Sequence, residues 1–254
     1  MTPILIICIL CVFAYFAKGV TGAASAIVFN AGLLVALALG LDGGLTLLDG
    51  LYWIALADFF ASALLAVMLW RHVKVEKVSV LLLCGMVPVT ILFTLMLPHL
   101  DLGWLALVLA LAVLSGGIYL VFRPDGKSAS EQSVNRWALP TGAIAGTLSG
   151  LFGMGGPIVF ILLSRASDDP GVFRRRTLVI TNVAALARVS TLGAYGVFEA
   201  KHFTWFGIAV PVIICAMLLG IWAHRKVKPR PFRVVLGLLV MLAGLGGLMR
   251  FALA

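Results

Sequence analysis

Long apolar runs alternate with short polar connections along the chain. The apolar segments occupy 3–40, 50–70, 78–97, 102–122, 137–164, 174–195, 203–223 and 232–251. Runs of about 20 apolar residues match helices that cross a hydrocarbon core of about 30 Å. Two segments depart from this length. Residues 3–40 are too long for one helix and are interrupted at Lys18-Gly19-Val20-Thr21-Gly22-Ala23-Ala24-Ser25. Residues 137–164 are interrupted at Gly146-Thr147-Leu148-Ser149-Gly150-Leu151-Phe152-Gly153-Met154-Gly155-Gly156-Pro157. Free backbone N–H and C=O groups are costly in lipid, so a helix broken at depth needs cover from protein or a wet cavity. Broken segments at corresponding places in two halves are a pointer to a transporter binding site.

Composition agrees with the spacing. The chain is 62% hydrophobic and 11% charged, against roughly 25% charged in soluble domains, which excludes a soluble globular class. The formal charge of +9 reads as basic loops facing the cytoplasm, not as a nucleic-acid surface. Residues 4–16 lack a basic leader and a clear cleavage site, so they read as part of the mature fold. Cys8, Cys11, Cys84 and Cys215 lie in apolar runs and read as packing residues. His72, His99, His202 and His224 sit at helix ends and read as interface residues. Most of the tryptophans lie near span ends, as aromatic belts do.

Catalytic motifs fail on inspection. Gly126-Lys127-Ser128 lacks the earlier glycine of a P-loop, since position 121 is Val. Gly153-Met154-Gly155-Gly156 has no βαβ unit around it. With no nucleophile elbow or zinc-type cluster in the sequence, the reading is not an enzyme, with no cofactor and no metal.

The polar connection 123–136 divides the chain into a first membrane repeat (1–122), a cytoplasmic linker (123–136) and a second membrane repeat (137–254). Thr21-Gly22 falls opposite Ser149-Gly150, Val87-Pro88 opposite Val210-Pro211, and Ser115-Gly116-Gly117 opposite Leu245-Gly246-Gly247. The fold class predicted is all-α: a polytopic membrane protein of two repeats, each with one broken or re-entrant helical segment and three transmembrane helices. Lys and Arg concentrate in 71–77, 123–136, 165–176 and 224–233, whereas 41–49 and 98–101 hold none and 196–202 holds only Lys201. The positive-inside bias puts the four basic stretches on one side. Segment 137–164 must then enter and leave on that same side, as a hairpin. The halves become inverted repeats; the rival is eight plain spans with parallel halves.

Ionisable residues at membrane depth are costly and functional by default. Lys18, Asp58 and Arg188 are the candidates. Two cations against one acid suit an anionic substrate. A half-helix starting at depth aims its unpaired N–H groups and its positive dipole end at an anion. The predicted substrate site therefore comprises Lys18, Thr21, Gly22, Ser25, Ser149, Gly150, Gly153, Gly155, Gly156, Asn182 and Arg188. Asp58 is read as a coupling group or charge partner. For the glycines the competing reading is close helix packing.

Gly146-x-x-Ser149-Gly150-x-x-Gly153-x-Gly155-Gly156, followed by an apolar helix, resembles the sulfite exporter TauE/SafE family of bacterial inner-membrane transporters. Members usually carry a third consecutive glycine where this chain has Pro157, and Thr21-Gly22-Ala23-Ala24-Ser25-Ala26 lacks the glycine cluster. The resemblance implies export of sulfite or an organosulfonate across a bacterial inner membrane. Alternating access at the paired breaks is the expected mechanism, and a passive anion channel is the alternative. The partners expected are a small anion and the lipid bilayer, with a coupling proton or sodium ion and an oligomer left open, and no nucleic acid.

Overall fold

The computed structural model describes all residues except 1, 22, 23, 42, 70–75, 123–130, 167–169, 225–228 and 254, with the side chains of 68, 69, 131, 164–166, 170–175, 224, 229–233 and 250–253 also left out. The described residues form ten α-helices: α1 (Pro3–Thr21), α2 (Ser25–Ala38), α3 (Leu47–Leu69), α4 (Lys77–Met96), α5 (Leu102–Phe122), α6 (Glu131–Phe152), α7 (Gly156–Ala166), α8 (Pro170–Ala194), α9 (Ala200–His224) and α10 (Pro229–Leu253), with a short 3-10 turn at Leu97–His99. Proline opens α8 and α10 at the first helical position, where its fixed φ fits and its missing N–H has no partner to lose. Six helices, α1, α3, α4, α5, α8 and α9, are long and apolar enough to cross a membrane. The chain is an all-α, multi-pass membrane protein.

Both sequence breaks appear where the polar pattern puts them. α1 ends at Thr21 and α2 begins at Ser25; α6 ends at Phe152 and α7 begins at Gly156. α2 has 14 residues and α7 has 11. At a rise of 1.5 Å per residue they reach about 21 and 16 Å, short of a hydrocarbon core of about 30 Å. The largest boundary difference from the sequence reading is at α6, which starts at Glu131, inside the polar linker. Val134 is 3% exposed and joins the core below, and burying that side chain favours helix over a run that polarity alone would leave as linker.

The helices group into two compact units, each drawing on both sequence halves. The first holds residues 1–57, 98–123 and 198–254, and the second 58–97 and 124–197.

In the first unit α5 and α10 run antiparallel along a glycine seam. Gly117 lies against Gly237 and Met241, Gly244 against Leu114, and Gly247 against Ala110. Gly19 of α1 meets Gly220 of α9, and Gly32 of α2 meets Leu10 of α1, so α2 folds back along α1. Small residues let backbones approach in lipid, where packing replaces the hydrophobic effect as the source of helix association.

The N-termini of α3 and α9 are tied together in this unit. Thr46 and Asp49 form a capping box: Thr46 Oγ1 accepts the Asp49 N–H at 3.1 Å and donates to Asp49 Oδ2 at 2.7 Å, while the Thr46 N–H reaches Oδ2 at 3.3 Å. Asp49 Oδ1 takes Lys201 Nζ at 2.9 Å and His202 Nε2 at 3.2 Å. His202 Nδ1 accepts the Glu199 N–H at 3.0 Å, which leaves the ring proton on Nε2. Tyr52, Phe198 and Trp205 stand edge-on around the imidazole. His202 is 0% exposed, so it is not the interface residue its position at a helix end suggests. A partner for each nitrogen offsets the cost of burying it. Asp49→Ala removes the cap and strands the imidazole, and should lower stability in detergent by about 2 kcal/mol, read by thermal unfolding.

In the second unit α4, α6 and α8 are parallel. Gly142, Gly146 and Gly150 of α6 press on the α4 backbone at Leu82–Met86, Met86 and Thr90–Thr94 respectively. Thr90 Oγ1 donates to Gly146 O at 3.4 Å and Thr94 Oγ1 to Gly150 O at 3.3 Å. Arg176 at the start of α8 pairs with Glu76 at the start of α4. α7 returns along α6: Gly155 lies against Ala145 and Ser149. Further on, Ile158, Ile161 and Leu162 share a cavity of about 380 Å³ with Ser133, Val134, Trp137 and Thr141. Val78, Leu82, Met86, Ala138, Val159, Leu163, Ile180 and Ala184 are among the residues that fill the core. The N-terminal ends of α4, α6 and α8 therefore gather at one end of the unit, with Lys77, Arg136 and Arg176 there.

Candidate functional site

The predicted residues fall into two groups. Ser149, Gly150, Gly153, Gly155, Gly156, Asn182, Arg188 and Asp58 belong to the second unit, and Lys18, Thr21 and Ser25 to the first. Gly22 lies outside the described residues.

The second break is built from the end of α6 upward. Gly153 takes φ 73°, a left-handed conformation that glycine adopts at no steric cost and that stops a helix. Its N–H donates to Ser149 O at 2.9 Å and the Met154 N–H to Leu148 O at 3.1 Å. These bonds leave the last carbonyls of α6 to find other donors. Arg188 of α8 supplies them: Nε donates to Gly150 O at 3.2 Å and Nη2 to Leu151 O at 3.0 Å. Arg188 is 2% exposed. Its positive charge stands at the negative end of the α6 dipole, a favourable pairing. Gly150 O also receives the Thr94 hydroxyl at 3.3 Å. Asp58 of α3 acts electrostatically on Arg188 from the same unit.

On the far side of the break α7 begins at Gly156, and Pro157 is its second residue. Its first internal bond is the Val159 N–H to Gly155 O at 3.3 Å. Ser149 is buried at 5% exposure beneath Gly155, whose Cβ, if it had one, would lie 3.1 Å from the Ser149 Cβ. With the carbonyl end of α6 neutralised by Arg188, the field at the break is that of the α7 N-terminus, which favours an anion. Beyond Arg188, a cavity of about 360 Å³ opens among Leu95, Ser190, Thr191, Ala194 and Tyr195.

Asn182 is brought elsewhere. Its Nδ2 donates to Ser62 O of α3 at 2.6 Å, so it fastens α8 to α3. In the first unit Lys18 is 3% exposed in the last turn of α1, and Ser25 is 2% exposed at the start of α2. The Thr21 hydroxyl donates to Ala17 O at 2.7 Å, within its own helix. Sequence reasoning missed Thr90, Thr94 and Ser62. A signal for the threonines existed: Thr90 and Thr94 repeat at the same spacing of four as Gly146 and Gly150, which suits hydroxyls meeting carbonyls down a parallel seam. Among the described residues no group of three His, Cys, Asp or Glu side chains forms a metal site.

The family model described as "Sulfite exporter TauE/SafE" matches residues 7–246. The chain belongs to the TauE/SafE family. That family is one of membrane transporters and not of enzymes. Three curated relatives agree. The "Probable sulfite/organosulfonate exporter TauE" of Cupriavidus necator is 27% identical over 67% of this chain and 65% of its own length. The "Probable inner membrane transporter protein TsaS" of Comamonas testosteroni is 25% identical over 76% of this chain and 80% of its own. A "Probable membrane transporter protein" of Methanocaldococcus jannaschii is 24% identical over 70% of this chain and 71% of its own. The chain thus spans just under two thirds of the first of these relatives. No solved structure matches it.

Proposed function

We propose that this TauE/SafE protein is a secondary transporter that exports sulfite or an organosulfonate across a bacterial inner membrane by alternating access at its two helix breaks. The observation that carries the reading is the break at Gly153–Gly155. There a buried guanidinium holds the α6 carbonyls at 3.2 and 3.0 Å, leaving the amide end of α7 as the exposed dipole. Anions are favoured at such an end. The names of the Cupriavidus and Comamonas relatives support the substrate class and the membrane. Asp58 is read as the charge that keeps Arg188 oriented, and as the group through which a coupling proton would act.

The inverted-repeat reading, with repeats 1–122 and 137–254, is supported by α5 and α10. They close their respective halves and run antiparallel, as the last helices of inverted copies must. It is supported also by the two returning pairs, α1–α2 and α6–α7. The end of the second unit that gathers Lys77, Arg136 and Arg176 is assigned to the cytoplasm by the positive-inside bias.

Purified protein in liposomes tests the function. Vesicles loaded with sulfite or methanesulfonate should release the anion with a saturable rate that follows an imposed ion gradient. Release that rises linearly with concentration would favour the passive channel, and no release of either anion would remove the assignment.

A further inference from the structure

The cavity of about 380 Å³ between α6 and α7 belongs to neither helix break. On α6 its wall runs from Ser133 to Thr141. Eight residues at a rise of 1.5 Å make this a groove about 12 Å long, close to the depth of one hydrocarbon leaflet, about 15 Å. On α7 its wall is Ile158, Ile161 and Leu162. The lining is mostly apolar but open on one side: Trp137 is 59% exposed and Ile161 is 39% exposed. In a bilayer such a groove is in reach of lipid.

Charge marks one end of it. Ser133 stands two residues inside the start of α6, at the end of the unit that holds Lys77, Arg136 and Arg176. Residues three apart on a helix are surface neighbours, so Arg136 sits beside Ser133. Helical side chains lean toward the N-terminus, which carries the exposed Arg136 side chain over the mouth and not down the groove. Arg176 is already paired with Glu76. Among the described residues no carboxylate pairs with Arg136. Trp137 follows it, in the interfacial zone that indoles favour. The groove thus offers apolar walls about one leaflet deep and an uncompensated cation at the mouth. Those features complement an acyl chain below a negative headgroup. A second copy of the chain fits less well, because a two-fold pair would set one basic end against the other.

We infer that the groove is a binding site for one anionic phospholipid, its phosphate on Arg136 and one acyl chain between α6 and α7 beside Trp137. With that end of the unit at the cytoplasm, the lipid comes from the inner leaflet. It fills the gap the chain leaves between α6 and the short α7, the hairpin whose turn holds the second break. The inference is independent of which anion is transported.

Native mass spectrometry of the full-length protein in detergent tests it, with dioleoylphosphatidylglycerol and dioleoylphosphatidylcholine added in turn. One phosphatidylglycerol should stay bound with a dissociation constant about tenfold below that of phosphatidylcholine, the factor for one hydrogen bond to a charged group. Arg136→Ala should abolish that preference. Ile161→Trp puts an indole into the groove and should release the retained lipid. Ile208→Trp, on an α9 side chain 54% exposed, should retain it. Equal retention of both lipids by the unmodified protein overturns the inference, as does an unchanged preference in Arg136→Ala. A dimer that Ile161→Trp splits into monomers would also overturn it, by giving the groove to a second copy. Should Ile161→Trp fail to fold, Arg136→Ala decides alone, since it alters only an exposed side chain.

Discussion

Arg188→Ala should insert in the membrane yet lose anion transport by about a hundredfold or more, the loss typical when one partner of a desolvated, hydrogen-bonded charge group is truncated. Two effects combine. The positive charge at the second break disappears, and the Gly150 and Leu151 carbonyls lose donors at 3.2 and 3.0 Å. An unsatisfied buried acceptor costs about 1–3 kcal/mol, so the variant should also unfold at lower temperature. Arg188→Lys separates the two effects. It keeps the charge but lacks the planar fork that reaches two carbonyls at once. Partial transport with a lowered melting temperature is expected for Lys, and near-complete loss for Ala. Unchanged efflux from proteoliposomes carrying Arg188→Ala would remove Arg188 from the site and leave it as a helix cap alone.

Gly142→Ala should be among the most destabilising single-methyl changes in the second unit. A Cβ there would collide with the Leu82 carbonyl and lie 3.1 Å from the Met86 nitrogen. Both are backbone atoms of a helix and cannot swing aside as a side-chain tip would. Forcing α4 and α6 apart costs about 3 kcal/mol on the scale of overpacked cores, or on the order of 10 °C in melting temperature. Gly207 and Gly246 are the controls, since a Cβ at either meets nothing within 4 Å. Alanine at these two should be neutral or stabilise by up to ~1 kcal/mol through helix propensity. Thermal unfolding of the three variants in one detergent makes the comparison. Equal melting of Gly142→Ala and the unmodified protein would contradict the close α4–α6 seam.

These two positions also show what was legible in the sequence. Gly142, Gly146 and Gly150 recur every four residues, which is the signature of a helix face that another backbone approaches. Glycine clusters with Pro157 marked the second break to within a few residues, because only a short list of residue types stops a helix in an apolar context. Segment lengths and the clustering of Lys and Arg required a pair that returns on itself, and α7 does run back along α6. Arg188 was picked out because a charge inside an apolar run is rare. Its partners were not legible: the carbonyls it holds lie 38 and 37 residues away, and backbone carbonyls leave no mark in composition.

The same limit explains the other differences. Asn182 looked like a ligand donor by residue type, but the Ser62 carbonyl it holds is set by the packing of α3 on α8. His202 looked superficial because polarity near a chain turn is normally solvated. Its burial depends on Asp49, which is 153 residues away, and on three aromatic rings. Trp53 read as one of the tryptophans near span ends, as in an aromatic belt, whereas it is 0% exposed, and its unpaired N–H shows only once every neighbour is in place.

The antiparallel pairing of α5 with α10 bears on how such a chain could have arisen. On the repeat reading, the two helices are counterparts, and each brings glycine to the face it shares with the other, Gly117 from α5 and Gly237, Gly244 and Gly247 from α10. A half-length ancestor carrying that one face could have paired with a second copy inserted upside down, provided its loops held little net orientation signal. Fusing two copies would relieve the single gene of serving both orientations. Each half would then be free to accumulate lysine and arginine in whichever loops kept it the right way up. The concentration of basic residues in 71–77, 123–136, 165–176 and 224–233 is then a record of divergence after duplication, written in different loops of each half because the two copies face opposite ways.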